Sequence, residues 1–192
     1  MDKANAHFVT PNLMVGGDLD SLDEGLRLDQ LRELVDEGVT HIVDVRLEWS
    51  DEDLVARHAP HIAYLYHGVD DAGQTIPDGW FDVGVDFILD ALSDPDAIAL
   101  AHCHMGINRG PSLGFAVLLA QGWDPIEALD AIRTARPIAF VAYAEDALAW
   151  HQRRTGVSGR QRRTDRHRLA EWRRANDLDV ATVIRGIRSR GY

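Results

Sequence analysis

At 192 residues, 45% of them hydrophobic, the chain is long enough for one ordinary domain with a real core plus an appendage. It carries a single cysteine, which excludes an internal disulfide. It shows neither a basic start followed by an apolar run nor an apolar stretch of membrane-spanning length, so a soluble, cytoplasmic protein with no membrane partner is expected.

The net charge of −11 averages two opposite halves. Residues 1–150 hold 8 Lys+Arg against 27 Asp+Glu (−19), whereas residues 151–192 hold 12 against 4 (+8). Such asymmetry predicts an acidic body and a basic tail that either folds back on it or meets a polyanion.

In chain order, HFVT and LMVGG near the N-terminus predict an edge hairpin or two short strands. The apolar runs at 39–45, 62–67 and 97–102 predict strands buried on both faces. Between them, residues 29–37 read as a helix stopped at Gly38, and Ser50 with Asp53 as the capping box of a short one. Thr75, Pro77 and Asp78 open a longer helix with Phe81, Val85, Ile88 and Leu92 on one face. The run HCHMGINRGPSLGFAVLLAQG predicts a loop entering an apolar helix that stops at Gly122. Asp124, Pro125 and Glu127 start the next with an N-cap, a proline at the first position and a box acid. Residues 143–154 form another helix, and the tail from about 161 shows two amphipathic segments, around Leu169 and Trp172 and along Val180, Val183, Ile184 and Ile187.

Strands alternating with helices predict an α/β fold: a central, mostly parallel sheet of about five strands with helices on both faces, plus a helical C-terminal extension. TGVSG at 155–159 reads as a linker between a domain at 1–154 and a basic extension at 155–192.

The chemistry gathers after the third predicted strand. Ligands of open α/β sheets bind beyond the carboxyl ends of strands, where helix N-termini offer free N–H groups to an anion. Cys103 stands there, followed by five residues and then Arg109 in the first helical turn, where a cation opposes the helix dipole. An anion between them resolves the conflict. Gly106 lets the amides of His104, Met105, Gly106, Ile107 and Asn108 turn inward, and Arg109 can grip two phosphate oxygens through its planar fork. Inward amides, a helix N-terminus and a guanidinium also favour a thiolate, which can attack phosphorus and form a phosphocysteine intermediate. An alkoxide or phenoxide leaving group then needs a proton, for which a carboxylic acid elsewhere is expected.

His102-Cys103, five residues and Arg109 resemble the signature of the dual-specificity branch of the protein tyrosine phosphatase family. The likeness runs over residues 7 to 152, from VTPNLMVGG through YLYHGVDDAG to DAIRTARPIAFVAYAEDALAWH. It implies a protein tyrosine phosphatase-like fold with Cys103 as nucleophile, Arg109 and the amides of 104–109 as the phosphate cradle, and His102 holding the loop and favouring the thiolate. It implies Asp71 as the acid, with Asp70 the fallback. Where the family carries a hydroxyl directly after the arginine, this chain has Gly110, which makes Ser112 the candidate to ease departure of the thiolate. Asn108 resembles RNA 5′-triphosphatase relatives instead.

The implied activity is hydrolysis of phosphate monoesters in a phosphorylated protein or peptide, without cofactor or metal ion. The alternatives are an RNA 5′-phosphatase and a phospho-binding module without turnover. Neighbours on a strand face opposite sides, so His102, Cys103 and His104 do not make a metal site.

Overall fold

The computed structural model describes residues 3–189; residues 1–2 and 190–192, the outer ends of the two expected domains, lie outside it. Five strands form one sheet among the described residues: β1 (Ala6–Thr10), β2 (Leu13–Gly16), β3 (Val39–Asp44), β4 (Ala63–Tyr66) and β5 (Ile98–His102), in the order β1-β2-β5-β3-β4. β1 and β2 make the antiparallel hairpin, and every other pairing is parallel. The helices are α1 (Glu24–Asp36), α2 (Glu52–His58), α3 (Asp78–Ala91), α4 (Arg109–Ala120), α5 (Pro125–Ala135), α6 (Ala144–Thr155), α7 (Gly159–Ala175) and α8 (Val180–Arg188). The predicted mostly parallel α/β architecture is therefore the observed one.

Central position explains the composition of β5. Flanked by β2 and β3, its Ala99, Leu100 and Ala101 are buried between two cores. Leu31 and Leu34 of α1 and Val55 of α2 pack with Ile42 and Leu100 in one core; Phe81, Val85 and Ile88 of α3 and nearly all of α4 join Val43, Ala99 and Ala101 in the other. Twelve residues of α4 carry no charge but Arg109, since a helix apolar all round must be buried. Its N-terminus faces the carboxyl end of β5, which fixes the location of the cleft.

Local boundaries differ from expectation where side chains answer to tertiary partners. α1 starts five residues early, because Asp23 accepts from Leu26 N and caps an exposed first turn that shows no apolar period. In α2 the N-cap is Asp51, which makes no cap bond because its carboxylate is committed to Arg46 at 2.6 Å; Ser50 Oγ accepts from Glu52 N instead. The α5 signals behave as written, with Asp124 accepting from Ile126 N and Glu127 N. The 155–159 segment is a tight helix-to-helix turn: Gly156 takes the left-handed conformation (φ 67°) and Ser158 caps α7.

α7 docks on the body. Leu169 and Trp172 belong to the main core, Arg168 grips both oxygens of Asp124 (2.7 and 2.8 Å), and Trp172 Nε1 donates to Asp130. No helix of the described residues is long and apolar enough to cross a membrane.

Candidate active site

β5 ends at His102 and α4 begins at Arg109, so residues 103–108 form the loop between them. Every carbonyl from His104 to Asn108 has a partner. His104 O accepts from Asp18 N, Met105 O and Gly106 O from Arg136, Ile107 O from Phe140 N and Val141 N, and Asn108 O from Ser112 N. None of the amides of 104–108 finds one among the described residues. Unpaired N–H groups in a loop that runs into a helix N-terminus suit an anion.

Gly106 sits at φ 62°, and a Cβ there would lie 2.5 Å from Gly16 C and 2.6 Å from Gly17 N, so both backbone conformation and space demand glycine. At Gly110 a Cβ would meet Ala101 O at 2.9 Å and His102 C at 3.0 Å. Close packing of α4 on β5 thus removes the room for a hydroxyl side chain directly after the arginine. Ser112 is fully buried, its Oγ accepts from Tyr143 N at 3.3 Å, and it is not among the residues lining the cleft.

A cavity of about 170 Å³ brings together Cys103, His104, Met105, Ile107, Asn108, Arg109, Asp71 and Glu48. Cys103 is 2% exposed at its floor. Of the two neighbouring aspartates only Asp71 lines it: its Oδ1 accepts from Tyr143 Oη (2.9 Å) and Asn108 Nδ2 (3.4 Å), and its Oδ2 lies 3.6 Å from Arg109 Nε. Asp70 instead accepts from Asp71 N, outside the cavity. Burial, then the Asp71 carboxylate, pushes the Tyr143 phenol up to about 12, so it donates to Asp71 as a neutral hydroxyl.

Arg109, 3% exposed, is not free. Nη1 and Nη2 donate to the two oxygens of Glu48 at 2.9 and 2.8 Å, and Nη1 also to Val69 O. Burial opposes its charge, but the Glu48 hydrogen bonds and the electrostatic attraction of Cys103, Glu48 and Asp71 hold it above its ordinary value. In return the Arg109 hydrogen bonds, against burial, hold Glu48 down at about 2. A carboxylate therefore occupies the fork that fits two phosphate oxygens.

His102 is buried with Nε2 3.8 Å from Asp44, and burial outweighs that carboxylate to lower its pKa. It therefore stands neutral at the end of β5, directly before Cys103.

Sequence reasoning missed the supports. Arg46, fully buried, donates to both oxygens of Asp44 (2.8 and 2.6 Å) and to Asp51 (2.6 Å) and approaches Asp18 at 3.6 Å. Asp18 in turn binds His104 Nδ1 at 2.7 Å, which ties this cluster to the loop. On the other side Arg136 binds the Met105 and Gly106 carbonyls together with Asn5 and His7. Buried arginines satisfy several carbonyls through one planar group. At the rim, Trp49 packs edge-on to His104 (5.1 Å) and Leu47 is 56% exposed.

No family model matches the chain. Among curated proteins it is similar to the Mus musculus dual specificity protein phosphatase 13B, 31% identical over 134 residues, covering 67% of this chain and 61% of that one. The Homo sapiens protein of the same name is 26% identical over 137 residues, covering 68% and 64%. The chain thus spans less than two thirds of the length of these relatives. Among solved structures it superposes on PTPMT1 in complex with PI(5)P with a TM-score of 0.65 at 18% identity, covering 79% of this chain and 97% of that one. Human DUSP28 gives 0.64 at 19% identity, covering 79% and 95%. At such identities the structural likeness is one of fold.

Proposed function

We propose that this chain, a member of the dual-specificity branch of the protein tyrosine phosphatase family by sequence likeness and fold together, hydrolyses phosphate monoesters of proteins through a phosphocysteine intermediate. The observation that carries the proposal is the loop after Cys103, where the carbonyls of 104–108 are all bonded and the amides of 104–108 are left unpaired beside a cavity lined by Cys103, Arg109 and Asp71. That is a cradle for three phosphate oxygens around one sulfur.

In the first step the Cys103 thiolate forms the S–P bond as the ester P–O bond breaks, and protonated Asp71 passes its proton to the departing oxygen. Arg109 swings its pairing from Glu48 to the phosphoryl oxygens and, with the amides of 104–109, takes the charge that develops there. In the second step water gives a proton to Asp71, its oxygen bonds to phosphorus, and the S–P bond breaks to regenerate the thiolate. With no hydroxyl at Gly110 and Ser112 engaged with Tyr143 N, departure of the thiolate relies on the amides and the α4 N-terminus.

The catalytic groups then all fall in residues 1–154, and the extension at 155–192 serves as an intramolecular partner of the acidic body. Its Arg168–Asp124 pair supports that role. A reducing cytoplasmic setting suits a lone catalytic thiol.

The test is phosphate release by the intact chain from a phosphotyrosine peptide, a phosphoserine peptide and triphosphate-ended RNA, beside Cys103→Ser. Turnover of phosphotyrosine, with phosphoserine slower, and none by the variant is the expected result. RNA as the fastest substrate would transfer the assignment to the RNA 5′-phosphatases that Asn108 resembles. Tight phosphopeptide binding without turnover would make the chain a binding module.

A further inference from the structure

The last helix reaches the cleft, since Ile184 and Arg188 of α8 line the same cavity as Cys103, Arg109 and Asp71. Val180, Val183, Ile184 and Ile187 lie on its half-buried side, while Ala181, Thr182, Arg185 and Arg188 are exposed. The apolar face therefore turns to the protein, unlike that of a helix lying on lipid, which faces outward. None of the described residues of α8 is fully buried, so apolar surface at the cleft is left for a ligand to cover.

α7 holds α8 in place. Arg173 donates to Val141 O and Ala142 O, and Arg133 to Asn176 O, which pins the turn between the two helices; Asp179 then caps α8 by accepting from Thr182 N. Charge singles out Arg188. The other acidic or basic side chains on the wall are Cys103, His104, Glu48, Asp71 and Arg109, and Glu48 already pairs Arg109. The Arg188 side chain has no hydrogen-bond or ionic partner among the described residues. It stands at the rim of a body of charge −19, where any acidic substrate is otherwise repelled.

We propose that α8 is the surface on which the substrate is read. Ile184 covers the organic group that bears the phosphate, Arg188 pairs with an acidic side chain beside it, and the favoured substrate is a phosphotyrosine peptide with acidic flanks. This rests on the cleft being a phosphate-ester site, as proposed above.

The test uses the full chain carrying Cys103→Ser, which retains Arg109, and compares its affinity for phosphotyrosine peptides with acidic and with neutral flanks by fluorescence anisotropy. The acidic peptide is preferred. Reversing the charge with Arg188→Glu cuts that preference about tenfold, and Arg188→Gln cuts it about threefold. Ile184→Ala weakens both peptides alike. A preference that Arg188→Glu leaves unchanged overturns the proposal. So does tighter binding of both peptides by Ile184→Ala, which would make α8 a mere cover. So does capture of phosphatidylinositol phosphate vesicles that depends on Arg188 while the peptide ratio stays flat. Matched melting curves, expected for an exposed position, keep the comparison free of unfolding. Absent turnover by the chain with Cys103, beside an Arg188-dependent peptide ratio, would remove the proposed reaction and support the reading of α8.

Discussion

Glu48→Gln is the perturbation that tests the cleft's resting state. Phosphate can reach the Arg109 fork only by displacing a carboxylate that holds both Nη atoms at 2.8 and 2.9 Å. The fall of the Glu48 pKa from 4.5 to about 2 would correspond to roughly 3 kcal/mol of preference for its charged form. The side chain is 40% exposed, so solvent screening reduces the usable part to about 1–2 kcal/mol. Removing the charge should therefore tighten inorganic phosphate binding about five- to thirtyfold, because less of the protein is held in the phosphate-excluding pairing. Calorimetric titration of the intact chain at neutral pH measures this directly. Unchanged or weaker phosphate binding in the variant would refute the competition and make Glu48 a holder of Arg109 geometry. Stability gives an independent check. A folded-state pKa below the unfolded one contributes stability above pH 4.5 that is lost as pH falls towards 2. The stability gap between wild type and Glu48→Gln should be level from pH 6 to 8 and close across that acidic window.

Two further substitutions probe the loop and the acid. Gly106→Ala forces a side chain into a left-handed position against the backbone of Gly16 and Gly17. It should destabilise the fold by about 2–4 kcal/mol and abolish phosphate binding, seen as a melting point lower by roughly 5–15 °C; an unshifted melt would contradict the packing described. Asp71→Asn should slow hydrolysis of alkyl phosphates by about 10²- to 10⁴-fold and of nitrophenyl phosphate far less, since only the poorer leaving group needs the proton. Equal slowing across a leaving-group series would take the acid role away from Asp71.

The legible parts of the sequence were those governed by neighbours along the chain. The apolar runs became β3, β4 and β5, and Asp124-Pro125-Glu127 capped α5 as spelled. The loop and its arginine were visible because cysteine, glycine and arginine lie within seven residues. Asp70 and Asp71 could not be separated by letters; what separates them is Tyr143, 72 residues on, whose hydroxyl donates to Asp71 and not to Asp70. Glu48 was invisible for the same reason, being 61 residues from Arg109 on a loop with no period to read. The buried arginines behave alike: nothing near Arg136 announces that it will strap two carbonyls 30 and 31 residues upstream.

Those hidden pairs explain how an acidic body can keep the proposed phosphate site at rest. Of the eight cations in the first 150 residues, Arg46 and Arg136 are fully buried and hold the loop through Asp18, His104 and the loop carbonyls rather than through a ligand. Of these eight, Arg109 is the one on the cavity wall with Cys103. A buried charge without a counter-charge is destabilising by several kcal/mol, so a bare Arg109 would tend to pull the loop open between substrates. Beyond Asp71 at 3.6 Å from Nε, Glu48 supplies the anion that both Nη atoms bond, and a phosphate that replaces it exchanges one pair of charge-assisted hydrogen bonds for another. The guanidinium is paired before and after binding, which lets the loop keep one shape whether or not substrate is present, and makes the affinity for phosphate a difference between two anions rather than the full strength of either.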